Sequence, residues 1–544
     1  MVFSRRDGVR ASAAAAALLT SGQLADRVNA APKPIGTPDE AAGPADGGEW
    51  VIAISELPDT LDPHKTGAAV TSTILRNVGD TLIAKNFDGE YVPGVATEWS
   101  ISEDGLTWTF KIREDIVFHD GTPLDAEAVK FTFDRIINPE TNAVSAGSSI
   151  GPMVSTSAPD KYTFEFVLEE PFAPLLQNLS APVLSIVSPE AVSTMGDDFG
   201  RKPILSGPWM VDEWRTGDRI VLKRNPDYRW APGFLHQDGP AHIETLTFQS
   251  IIEEASRIAA FEAGETHQTT LAAVDVERIS STEESWIISY LRLGVVFLEF
   301  NVTVAPFDDV LVRRAINHAV NKQDVMSAAV EQYGQVAHGF LSPAMFGYWE
   351  GIEEYAPAFD VEKARSLLSE AGWADTDGDG ILEKDGNKFQ FTALNLPTDA
   401  WNRAAQVVQS QLNGIGIVME IQQLEFATLL EQAKTGTHQA EVMGYTSIDP
   451  DIAYLWFHST QAGTGLNFSH INDPKLDEMI LKARSTMDIE DRAAVYEDLQ
   501  RYVVDLALWV PLWIDEYSIA YNKAIQNASF HEDGYTVYFD AWIE

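Results

Sequence analysis

From Trp50 to the C-terminus, short segments of alternating apolar and polar residues take turns with longer segments whose apolar residues recur every three or four positions. This interleaving constrains the fold most, because strand side chains have a period of two and helix side chains one of 3.6. WVIAIS (50–55), TWTFKIR (107–113), YTFEFVL (162–168), DRIVLKRN (218–225), IETLTFQSI (243–251), VVFLEFNV (295–302) and KFQFTAL (388–394) read as strands. LDAEAVKFTFDRI (124–136) reads as a helix capped by Asp125, and FDVEKARSLLSEAG (359–372) as one running from near Asp360 to Gly372. RAAVYEDLQRYVVDLALW (492–509) puts Val495, Leu499, Tyr502, Val503 and Leu506 on one stripe. The fold class that follows is α/β without an internal repeat, and 544 residues are enough for two or three lobes.

The N-terminus points to export. Ser4-Arg5-Arg6-Asp7 precedes a small apolar run from Ala11 to Leu19, so residues 1–30 resemble a twin-arginine signal, and the Pro/Gly/acid-rich residues 31–47 read as a disordered linker. The absence of cysteine removes disulfides, thiolate metal sites, Cys nucleophiles and a lipid-modified cysteine. With Lys+Arg 38 against Asp+Glu 81, the net charge of -43 excludes a nucleic-acid partner. Such self-repulsion is tolerable where salt shortens the Debye length to about 3 Å, as at 1 M, so the chain reads as an extracytoplasmic protein adapted to high salt. Four N-x-[ST] sequons, at Asn178, Asn301, Asn467 and Asn527, are compatible with an outer surface.

Several stretches together resemble the peptide/nickel class of extracytoplasmic substrate-binding proteins that serve ABC transporters. They are Thr60-Leu61-Asp62-Pro63, residues 80–136, SGPWMVDEWRTGDRIVLKRNPDYRW (206–230), LEFNVTVAPFDDVLVRRAINHAVNKQDV (298–325) and YEDLQRYVVDLALWVPLW (496–513). The resemblance implies a two-lobed periplasmic-binding-protein-like clam-shell with an extra domain inserted in the first lobe. It places the first lobe at 48–80, 204–296 and 512–544, the extra domain at 81–203 and the second lobe at 297–511. It further implies a non-catalytic, monomeric protein that closes on one ligand, most simply an oligopeptide, and passes it to permease and ATPase subunits. The chain has no G-x-x-x-x-G-K-[ST] loop of its own.

The resemblance also points to ligand-binding positions. Relatives place an aromatic and then acids in the loop that here reads GYTSIDPD (444–451), which nominates Tyr445, Asp449 and Asp451; Asp449 and Asp451 equally suit the start of a helix. NLPTDAWN (395–402) lacks the Arg that dipeptide-binding relatives use for a carboxylate, and offers Asn395 and Trp401. Trp209, Trp214, Trp349, Trp401 and Tyr445 read as aromatics in loops, and Trp209 joins the candidates. These absences favour a longer peptide held by its backbone, or a neutral ligand such as an oligosaccharide, over a free dipeptide. Nickel is disfavoured, because the 11 histidines include no pair at i,i+3 or i,i+4 spacing.

No cofactor is expected except a structural calcium. DTDGDGILEKDG (375–386) offers Asp375, Asp377, Asp379 and Glu383, but has Gly386 where an EF-hand needs its bidentate Glu; an unliganded turn uses the same residues. A secreted hydrolase is the rival class. Gly147-Ser148-Ser149-Ile150-Gly151 matches G-x-S-x-G but reads as a small-residue loop running into Pro152, without the strand and helix of a nucleophile elbow.

Overall fold

The computed structural model describes residues 44–544 apart from residue 238, so the signal-like segment and most of the linker lie outside the described residues. Ten strands form one continuous path, in the order Val418–Gln423, Gln390–Asn395, Ala440–Gly444, Val296–Phe300, Trp509–Asn522, Gln268–Leu271, Glu49–Ile54, Thr245–Ser250, Arg219–Arg224 and Trp209–Arg215. Ser285–Leu291 and Gly334–Val336 also pair with the long strand Trp509–Asn522.

That long strand joins two lobes. Its first half pairs with Val296–Phe300 and Gly334–Val336, and its second half with Ser285–Leu291 and Gln268–Leu271. Separate apolar clusters pack on the two halves: one gathers residues between Trp50 and Phe248 with Ile519–Ala541, while two others cover opposite faces of the second-lobe sheet. Burial on both faces explains why VFLEF and AEVMG are apolar at nearly every position.

The extra domain is a four-stranded antiparallel sheet, in the order Ala96–Ile101, Thr107–Ile112, Thr163–Leu168 and Met153–Asp160. Helix Ala126–Ile137 packs on it, with the Asp125 carboxylate accepting from the amides of Glu127 at 3.1 Å and Ala128 at 3.2 Å, as its cap position requires. From this helix Arg135 donates two bonds to Asp62, at 2.9 and 2.5 Å, and lies 2.6 Å from His64 Nδ1. Burial, helped by the Arg135 charge, pushes His64 down to about 3 and keeps it neutral. The Leu-Asp-Pro-His stretch is thereby tied to the extra domain.

Some local readings need correction. Trp209 and Trp214 lie in the strand Trp209–Arg215, and Trp401 lies in the helix Asp399–Asn413. Residues 144–149 of the G-x-S-x-G region form a short helix followed by a strand, the reverse of a nucleophile elbow. Asn301 and Asn467 are fully buried with their amides donating to backbone carbonyls, so the folded chain cannot carry sugar there.

Candidate functional site

Strands Gln390–Asn395, Val418–Gln423 and Ala440–Gly444 are parallel, so their carboxyl ends share one edge of the second-lobe sheet. In open α/β sheets that edge is where ligands bind, because connecting loops converge there and helices begin there. The chain folds this way locally because each strand ends in Asn, Gln or Gly and then meets helix-starting residues, as in Thr398 before Asp399–Asn413. Five of the six ligand-binding candidates, Asn395, Trp401, Tyr445, Asp449 and Asp451, sit at or just beyond this edge.

Their side chains are largely committed. The Tyr445 hydroxyl donates to the Phe340 carbonyl and its ring packs near Trp456 and Trp509; burial pushes its ionisation far above the usual range. Asn395 is fully buried, donating to Asn402 Oδ1 at 2.7 Å while its own Oδ1 has no partner among the described residues. Trp401 is half-buried over Gly444, where any Cβ would come within 3.4 Å of its ring. Trp209 lies in the core of the other lobe, its indole donating to the Ile243 carbonyl at 3.2 Å, and does not join the five.

The acids carry an arrangement that sequence reading missed. Arg492 donates to both Asp449 oxygens, at 3.0 and 2.7 Å, and both residues are buried. Arg484 Nε stands 2.9 Å from Asp451 Oδ1 and its guanidinium lies 3.8 Å over the Tyr454 ring. Burial pushes Asp451 up to about 7 against the pull of Arg484, although 18% of its side chain stays exposed. Arg492 is held charged: burial opposes its ionisation, but the Asp449 carboxylate outweighs that and raises it. Nothing in the local sequence signals either arginine, since they arrive from helices well downstream.

The extra domain reaches this edge from the first lobe. The Ala173 amide donates to the Arg484 carbonyl at 2.7 Å, and Phe172 stacks 5.1 Å from the Arg484 guanidinium. Tyr91, pushed up to about 12 by burial, feels the charges of Asp449 and Arg492 across the cleft. The hinge is laced to the same loop: the amides of Tyr445 and Ser447 donate to the carbonyls of Val295 and Leu293, at 3.3 and 2.7 Å. At Gly294 a Cβ would stand 1.7 Å from the Tyr445 carbonyl oxygen, so only glycine permits this approach. The Tyr445 loop is thereby tied by backbone contacts to the 293–295 segment.

In the acid-rich turn, Asp375, Asp377 and Glu383 each place one oxygen within 4.8 Å of the others. Asp379 turns away to Lys388. Asp375 already accepts from the amides of Gly378 and Gly380, at 2.7 and 3.0 Å. Among the described residues, no helix is long and apolar enough to cross a membrane.

Comparisons with known proteins agree with this architecture. The pattern of the bacterial extracellular solute-binding proteins, family 5 Middle, matches residues 90–465. The oligopeptide-binding protein AppA of Bacillus subtilis is 29% identical over 506 residues, covering 90% of each chain. The dipeptide-binding protein of Escherichia coli is 30% identical over 448 residues, covering 77% of this chain and 80% of that protein. The structure of AppA in complex with a nonapeptide superposes with a TM-score of 0.76 at 25% identity, over 92% of this chain and 100% of that one. NikA from Brucella suis, at 24% identity, shares the fold with a TM-score of 0.80 over 91% of this chain and 100% of that one. Two lobes on one crossing strand, a domain inserted in the first and a candidate site at the carboxyl edge of the second thus accompany a match over most of the chain, and the protein belongs to the bacterial extracellular solute-binding proteins of family 5.

Proposed function

We propose that this protein is a salt-adapted, exported and monomeric binding protein that captures an oligopeptide between its lobes and delivers it to the permease and ATPase subunits of an ABC importer. The observation that carries the ligand class is the neutralisation of Asp449 by Arg492 and of Asp451 by Arg484. A peptide amine gains most from an uncompensated carboxylate, and neither Asp449 nor Asp451 is one. Backbone hydrogen bonds and aromatic contact are left to hold the ligand, which suits a longer peptide better than a free dipeptide. Capture works by population shift: a ligand touching both lobes favours the closed form by its differential affinity.

Melting in high-salt buffer against tri- to pentapeptides, dipeptides, oligosaccharides and nickel tests this. A ligand at 100 times its Kd adds about 2.7 kcal/mol to stability. Peptides of three or more residues are expected to raise the midpoint, equally with free and acetylated N-termini, and to be recovered intact. A shift with oligosaccharides alone would replace the peptide reading, and consumption of any ligand would overturn the non-catalytic one.

We also propose that Asp375, Asp377 and Glu383 hold a structural calcium, with a Kd of about 10⁻⁴–10⁻³ M, as in extracellular modules. Lys388, 3.9 Å from Asp377, competes with it. Lys388→Met is expected to tighten calcium binding read by calorimetry, and Asp375→Asn to abolish it; no heat in either protein would show an unliganded turn.

A further inference from the structure

The first lobe contains a cavity of about 140 Å³ to which the second lobe contributes no residue. It lies between the end of helix Ala69–Val78, the 228–235 loop and the C-terminal segment around Tyr535–Phe539. Its walls are aromatic, including Trp209, Trp230, Phe234 and Phe539. At its floor the Asp80 carboxyl accepts from the Tyr228 hydroxyl at 3.1 Å and the Trp230 indole at 2.9 Å, so its hydrogen bonding is satisfied by neutral donors.

Arg76 is the unsatisfied group. Its guanidinium lies flat over the Tyr535 ring, 3.7 Å from the centroid. Among the described residues no carboxylate stands within ion-pair distance of it and no acceptor takes its N–H groups, although Asp533 and His531 feel its charge at longer range. In a chain with 81 acidic residues against 38 lysines and arginines, a half-buried arginine without a carboxylate is unexpected. Stacking covers one face of the guanidinium and leaves its edge, the fork that matches a carboxylate, open. The neighbouring Lys85 is not available for that role, being held by Glu532 at 2.9 Å and Asp533 at 3.0 Å.

We propose that this cavity is a second ligand site, separate from the interlobe cleft, for a small aromatic monocarboxylate whose carboxylate takes the free edge of Arg76 and whose ring packs on the aromatic walls. The size fits, since an apolar cavity of about 150 Å³ holds a benzene ring. The ring replaces cavity space with contacts, and the carboxylate completes the one cation in the lining that the protein leaves open.

The probe is benzoate, titrated calorimetrically into the full chain, with benzyl alcohol as its uncharged counterpart. Benzoate is expected to bind about 10- to 100-fold more tightly than benzyl alcohol, the ratio for one charge-assisted pair. Arg76→Gln is expected to erase that ratio while melting within a few degrees of wild type, and Arg76→Lys, which keeps the charge but loses the planar fork, to restore only part of it. If Arg76→Gln fails to fold, Phe234→Ala supplies the test, because it should weaken both probes alike by opening the ring wall. No benzoate binding, equal binding of the two probes to wild type, or an unchanged ratio in Arg76→Gln would overturn the proposal.

Discussion

Raising the pH from about 5 to about 9 is expected to lower the melting temperature of the wild-type protein and to have a much smaller effect on Glu441→Gln, because the buried Glu441 carboxyl, pushed up to about 8, must give up its proton over that range. Glu299 and Glu441 are directly opposite in the register of antiparallel strands Val296–Phe300 and Ala440–Gly444, and both are fully buried. Their face of the sheet is apolar, with Phe297, Trp456 and Phe468. The Ser469 amide donates to Glu299 Oε1 at 2.8 Å, and His438 Nε2 stands 2.7 Å from Glu441 Oε2. Burial lowers His438 against the pull of Glu299, disfavouring its charged form, and the His470 ring lies 6.0 Å beyond it. Among the described residues no lysine or arginine pairs with either acid.

Burial first, and then the neighbouring acid, pushes Glu299 well above the usual carboxylate range, and burial pushes Glu441 up to about 8. Raised folded-state values mean that the native protein binds more protons than the unfolded chain. The stabilisation is therefore complete below about pH 4.5, the value for an unfolded glutamate, and is lost as pH rises through about 8. For one group the span is on the order of 5 kcal/mol. Glu441→Gln keeps the shape and stays neutral, so its melting temperature should exceed that of wild type at the alkaline end. Equal slopes in the two proteins would show that the general repulsion of a chain at net charge -43, and not this pair, sets the pH dependence.

Sequence reading recovered elements where local chemistry determines local structure. The strands at 107–112, 163–168 and 219–224 and the helices capped by Asp125 and Asp360 lie where alternation and capping residues put them. It failed where a side chain's role depends on a distant partner. Asp449 and Asp451 read equally well as ligand groups or helix starters, and what decides their chemistry is Arg492 and Arg484, brought in by the packing of helices Pro474–Ser485 and Ile489–Leu506. Trp209 misled because a tryptophan after Gly-Pro looks like a loop residue, whereas here it opens a buried strand. The Glu299–Glu441 pair did leave a signal, an acid inside each of two runs too apolar for a half-exposed strand, but only the strand register shows that they meet.

Replacing Arg492 by methionine is expected to cost about 3–5 kcal/mol, because it strands a buried carboxylate without its bidentate partner. Arg492 also donates to the Ala483 carbonyl at 3.2 Å, so part of the loss is a broken tie between the two helices. The double replacement Asp449→Leu with Arg492→Met removes both charges together and should recover most of the stability, since a buried ion pair and an apolar pair of similar volume are often equivalent. Denaturant unfolding of the single and double variants measures both effects. The same single variant changes recognition. With Arg492 gone, Asp449 becomes an uncompensated acid at the carboxyl edge, and a peptide's α-amine is the cation able to satisfy it. A tripeptide with a free amine should then raise the melting temperature of Arg492→Met more than its N-acetylated form does, whereas wild type responds to both alike. If wild type already prefers the free amine, Asp449 serves the ligand despite its arginine and the peptide is held by its terminus; if neither protein distinguishes the two, the acid faces helix packing alone and the ligand contacts lie elsewhere on the edge.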